Sequence, residues 1–130
     1  MRIMVLNGSP RGEKSGTFRI TAAFLEGLNA VQANEVEQVT ITQAHIEPCR
    51  GCFACWRQTP GRCIIQDDMA VLLEHYRAAD LVIWSLPLYY FSMPSQIKAF
   101  MDRLLPLNLP AIQIHPGGRP GHPARYDLSQ

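Results

Sequence analysis

The chain has 130 residues, 47 % of them hydrophobic and 18 % charged, a composition that supports one globular domain with its own core. Twelve basic against eleven acidic side chains leave a net charge of +1, so nucleic acid has no electrostatic claim on it as a partner. Its longest apolar runs, such as residues 81–84, are far too short to span a bilayer, and the N-terminus passes straight into a strand pattern. A cytoplasmic protein without a membrane partner is the expectation.

Ile3, Met4, Val5 and Leu6 form a continuous apolar run that ends in Asn7-Gly8, the pattern of a strand buried on both faces. Residues 8–17 are small, polar and turn-forming. A helical period follows over residues 17–31, with Phe24, Leu25, Leu28 and Val31 as its apolar positions. Strand, hydroxyl-rich loop and helix N-terminus together make a phosphate site, because free backbone N–H groups and the positive end of the helix dipole converge there. Ser9, Ser15 and Thr17 add hydroxyls and Arg11 adds charge. No Gly-Lys-Ser/Thr closes the loop and no GxGxxG occurs in it, which favours a phosphate monoester such as that of FMN. The competing reading is a surface turn whose Ser and Thr only cap the helix.

Residues 35–41 read as a half-polar edge strand carrying Val36, Val39 and Ile41. After the cysteine-bearing stretch, Met69, Leu72, Leu73 and Tyr76 lie at helical spacing, with Asp67 or Asp68 as the expected N-cap. Residues 80–86 form a second apolar strand. The loop of residues 87–93 follows, then a helical stripe of Ile97, Phe100, Met101 and Leu104 entered at Pro94. Five prolines from Pro106 onward mark residues 106–130 as an extended or poorly ordered tail behind a domain of residues 1–105.

Strands near residues 2–7, 35–41 and 80–86, alternating with helices, predict a doubly wound parallel α/β sheet. Right-handed crossovers give the order 2-1-3, with the apolar third strand at an edge. Such an edge calls for more chain or a partner and makes a homo-oligomer the expected state. The ligand of such a sheet sits over the C-terminal strand ends, so residues 87–93 stand beside the phosphate loop. Their two tyrosines and one phenylalanine suit a flat, polar-edged ring such as an isoalloxazine, or an apolar contact between copies.

Cys49, Cys52, Cys55 and Cys63 are spaced C-x2-C-x2-C-x7-C. Four thiolates are the inventory of a [4Fe-4S] cluster, and zinc, redox-active thiols near a flavin and reduced structural thiols are the other readings. His45, His75, His115 and His122 share no ligand spacing. Lys98 and Arg103 are expected to balance a helix dipole.

Two segments, VLNGSPR with Ser15 and Thr17, and SLPLYYFSMPSQIKAFMDR, resemble the flavodoxin-like NAD(P)H-dependent FMN reductase family. Pro87, Tyr89, Met93-Pro94, Lys98 and Asp102-Arg103 carry the likeness. The cysteine stretch EPCRGCFACWRQTPGRCIIQDDM resembles the iron-sulfur flavoprotein branch, and the three segments lie within residues 1–106. The resemblance implies a flavodoxin-like fold whose last two strands are missing from this chain. It also implies FMN, with its phosphate in Ser9, Arg11, Ser15, Thr17 and Phe18 and its ring against Pro87, Leu88, Tyr89, Tyr90 and Phe91. Electrons would pass from NAD(P)H or a ferredoxin-like donor to an acceptor, with no protein acid or base standing out. The alternative is a non-catalytic or truncated interaction subunit that docks on a homologous flavoprotein.

Overall fold

A computed structural model describes residues 1–127. Strand β1 (Arg2–Asn7) is buried along its length past Arg2, as its unbroken apolar run requires. It pairs in parallel with β2 (Glu35–Thr40) on one side and β3 (Leu81–Ser85) on the other, giving the expected order β2-β1-β3. Register places Asn7 level with Thr40 and with Ser85. The loops that leave those three residues therefore open on one end of the sheet.

Helix α1 (Gly16–Val31) lies on one face, and α3 (Met69–Ala78) and α4 (Ser95–Asp102) contribute to the other. Between β2 and α3, the one-turn helix α2 (Ala54–Arg57) sits in the cysteine-bearing stretch. Alternation along β1 sends Met4 and Leu6 into a core with Met69, Leu72, Leu73, Ile97 and Phe100, while Ile3 and Val5 are buried toward α1. Trp84 meets Phe100 edge to face at 5.7 Å, and Tyr76 closes the same ring cluster.

Some boundaries and faces differ from the sequence expectation. β2 ends at Thr40, because Ile41 starts a 3-10 turn that drops its side chain into the core. Asp80 and Leu86 lie outside β3. On α1, Leu25 and Leu28 are half-buried, whereas Phe24 is 52 % and Val31 86 % exposed. The apolar stripe of that helix is wider than the part of it that the described residues cover.

After a 3-10 turn at Leu105–Leu107, the proline-rich segment runs extended and returns to the domain. Strands β4 (Gln113–Ile114) and β5 (Pro120–Gly121) pair antiparallel as a separate hairpin. The Arg125 N–H then donates to the Leu107 carbonyl (2.7 Å), and Tyr126 packs on the core with Arg77 over its ring at 4.9 Å.

Candidate functional site

The loop after β1 is held by its own side chains. Asn7 is buried, and its Oδ1 accepts the Ser9 N–H at 3.0 Å, while Ser9 Oγ accepts the Arg11 N–H at 3.3 Å. Gly8 lies so close to α4 that a Cβ there would stand 2.5 Å from Ile97 Cγ1, which is why no larger residue fits. Its N–H donates to the Ser85 carbonyl, lacing the loop to the end of β3. A 3-10 turn (Gly12–Lys14) leads into α1, where Ser15 Oγ accepts the Phe18 N–H at 3.1 Å as the N-cap.

At this helix start, the N–H groups of Gly16 and Thr17 have no acceptor among the described residues. Ser9 and Ser15 are buried, Thr17 and Phe18 half-buried and Arg11 exposed. Two free donors, a helix dipole and an exposed guanidinium thus share one short loop, an arrangement that favours an anion. Ser15 also performs the capping job of the competing reading, so its hydroxyl oxygen is already engaged.

Thr21, one turn further along α1, donates its hydroxyl to Ser85 Oγ at 2.7 Å. That bond ties the phosphate-type loop to the root of the loop that follows β3. There Pro87 is half-buried, while Leu88 and Tyr89 are exposed. Tyr89 and Ser92 exchange two backbone hydrogen bonds (2.8 and 3.0 Å), closing a two-residue turn around Tyr90 and Phe91. Both central residues have positive φ, 46° and 60°, the conformation of a type I′ turn that Asn-Gly ordinarily fills. Two aromatic residues held there, 96 % and 97 % exposed, are backbone strain combined with uncovered apolar surface. Nothing in the local sequence signals this shape, since the turn lacks the residues its type prefers.

The cysteines occupy the opposite end of α4. Cys49, Cys52, Cys55 and Cys63 all line one recess, together with Phe53, Ile65, Arg103 and Pro106. Cys55 is buried, and burial followed by the charges of Cys63, Cys49 and Cys52 pushes its thiol up from the ordinary value. Among the described residues, no three His, Cys, Asp or Glu side chains stand in a geometry that could hold a metal ion. The sulfurs share a recess without forming a cage. Trp56 packs on Phe53 (ring centroids 5.1 Å) and on His122, and donates its N–H to the Leu105 carbonyl, so its role is to seat the cysteine segment.

Arg103 departs most from the sequence reading. It is 1 % exposed rather than a surface partner of the helix dipole. Its two Nη atoms bind both oxygens of buried Asp67 (2.7 and 2.8 Å), and they also reach the carbonyls of Glu47 and Ile65. Asp67 in turn accepts the N–H groups of Glu47 and Met69. Burial would raise the Asp67 carboxyl, but Arg103 and the two backbone donors outweigh it and hold the group below the usual carboxylate range. Asp67 thus supplies the helix-start bond to Met69, while Asp68 occupies the N-cap without a side-chain cap bond and accepts from His45 N–H instead. Lys98 pairs with Asp102 one turn along α4.

Residues 1–121 match the family described as flavodoxin-like fold. An iron-sulfur flavoprotein of Methanocaldococcus jannaschii is 32 % identical over 111 residues, 84 % of this chain and 54 % of that protein. One from Methanosarcina thermophila is 37 % identical over 103 residues, covering 79 % and 52 %. An FMN-dependent NADH:quinone oxidoreductase of Bradyrhizobium diazoefficiens is 30 % identical over 110 residues, covering 81 % and 54 %. Among solved structures, an FMN-dependent NADH-azoreductase from Bacillus anthracis in complex with FMN superposes with a TM-score of 0.64 at 20 % identity, over 81 % of this chain and 56 % of the other. The chain spans about half the length of the curated relatives it matches. No described helix is long and apolar enough to cross a membrane.

Proposed function

The chain belongs to the flavodoxin-like fold family, and from that premise we propose that it is an FMN-dependent oxidoreductase, or the FMN-binding part of one. NAD(P)H or a ferredoxin-like protein is the electron donor in this reading. The observation that carries it is the juxtaposition of two loops on adjacent parallel strands. One offers buried serines and free N–H groups at a helix start, and the other offers a strained aromatic turn. Ser9, Arg11, Ser15, Thr17 and Phe18 would hold the FMN phosphate, the backbone donors of Gly16 and Thr17 completing the set. Pro87, Leu88, Tyr89, Tyr90 and Phe91 would lie against the isoalloxazine. When bound, the flavin supplies the hydride and electron chemistry, while the protein positions the ring and sets its surroundings.

The cysteines fit a [4Fe-4S] cluster by donor type and number, and their common recess supports that reading. Relatedness to iron-sulfur flavoproteins supports it as well. Zinc would use the same thiolates. We further propose that residues 1–105 make up the flavin-binding unit, with residues 106–130 as an appended segment, and that the chain works in the company of a second copy.

Anaerobic purification followed by visible spectroscopy and FMN titration tests the proposal. One flavin retained per chain and reduced by NADH or NADPH is the expected result. A chain that retains no flavin even with FMN in excess overturns the enzyme reading. The open β3 edge would then favour an interaction subunit seated on a homologous flavoprotein.

A further inference from the structure

An arginine has five N–H donors, and four of those on Arg103 are spoken for. Its Nη atoms serve Asp67, Glu47 and Ile65. The fifth, on Nε, is buried without a hydrogen-bond partner. Leaving a charged donor unmet inside a protein costs on the order of 1–3 kcal/mol or more, so its retention needs a reason. The side chain lines the recess that all four cysteines line, and Cys63 is the cysteine among them that interacts with the guanidinium.

The clamp also spans the cysteine segment. Glu47, two residues before Cys49, is held by its carbonyl and its N–H, and Ile65, two residues after Cys63, by its carbonyl. One buried ion pair thereby fixes both ends of the stretch that carries the four thiols, and it leaves one N–H over in the recess.

We propose that Arg103 is the positioning residue of an anionic metal–thiolate centre in this recess, donating its Nε–H to the Cys63 sulfur and setting the centre's reduction potential with its charge. This rests on reading the cysteines as ligands of a [4Fe-4S] cluster. Each one-electron reduction of such a centre adds one negative charge and breaks no bond. A buried cation beside it favours the reduced form, and hydrogen bonds to the sulfurs act in the same direction. Asp67 offsets part of that charge from the far side of the guanidinium.

The experiment loads the full chain anaerobically with ferrous iron and sulfide, as wild type and as Arg103→Gln, Arg103→Lys and Asp67→Asn. Iron and acid-labile sulfide per chain report whether the cluster forms. Redox titration followed by electron paramagnetic resonance gives its potential, and pulsed resonance on 15N-arginine-labelled wild type detects a nitrogen coupled to the reduced centre. The expected results are a coupled arginine nitrogen and a potential lowered by Arg103→Gln through at least tenfold in the reduction equilibrium, about 59 mV for one electron. Arg103→Lys recovers most of that change, and Asp67→Asn moves the potential the opposite way. A loaded wild type without nitrogen coupling overturns the inference, as does a potential indifferent to these variants, and either leaves the cluster reading intact. If Arg103→Gln does not fold, the coupling decides alone when read in Arg50→Gln labelled only at the guanidino nitrogens of arginine, because Arg50 lines the same recess. A wild type that takes up zinc but no iron and sulfide removes the cluster reading and this inference together, while the flavin titration stands apart from both.

Discussion

At the scale of single residues, the Asp67–Arg103 pair governs how firmly the cysteine segment is held. Both side chains are almost fully buried, so removing one strands the charge of the other in low dielectric. Arg103→Met is expected to lower stability by about 3–5 kcal/mol in denaturant titrations of the metal-free chain. Asp67 also gives the stability a direction with pH. Its folded-state value lies below the unfolded value of about 3.9. Its contribution is therefore complete above that value and declines as pH falls toward the folded one. Stability measured from pH 6 downward should fall more steeply below pH 4 for wild type than for Asp67→Asn. Equal slopes would show that the carboxylate is not what acid attacks. This pair was out of reach of the sequence. Asp67 and Arg103 stand far apart in the chain, and each has an ordinary local role at a helix end that periodicity readily assigns to it. Only tertiary burial turns two terminal charges into one clamp.

Among the elements, the three strands and the helices on either side were legible, because an apolar run such as residues 3–6 and the spacing of Met69, Leu72 and Leu73 obey simple periods. The loop after β1 was legible as a connection into a helix, since its hydroxyls and glycines are written consecutively. The aromatic turn after β3 was legible in composition but not in shape. Tyr90 and Phe91 occupy left-handed backbone that their side chains disfavour, at about 1–3 kcal/mol each. Replacing the pair by Asn-Gly should raise the stability of the flavin-free chain by about 1–3 kcal/mol and weaken FMN binding at least tenfold, about 1.4 kcal/mol. Calorimetric unfolding and flavin titration on the same preparation read both. A gain in stability with unchanged affinity would mean that the turn serves something other than the flavin.

For the whole molecule, the decisive feature is what borders β3. The strand is apolar and half-buried, and its outer side carries no neighbour among the described residues. Ile20 and Phe24 stand one helical turn apart on α1, exposed by 75 % and 52 %. Because α1 packs against β3, strand pairing and helix contact can be made in one encounter. Ile20→Lys with Phe24→Glu should leave stability within about 0.5 kcal/mol, since both side chains lie on the surface. Sedimentation is expected to show a mass that rises with concentration for the wild type and rises less for the double variant. Mass that rises equally in the double variant would move the contact elsewhere.

A strand edge also carries a rule of symmetry. Two copies related by a two-fold axis normal to the sheet can pair β3 with β3 only antiparallel, whereas head-to-tail pairing of β3 with β2 of the next copy runs parallel, does not close and permits indefinite growth. The closed arrangement is a continuous six-stranded sheet with both α1 helices on the same face. Its two clusters of strand-end loops then point to opposite ends, because each follows the C-terminal direction of its own strands. A dimer built this way would hold two remote, equivalent loop clusters, and an FMN titration is then expected to follow a single hyperbola with one ligand per chain.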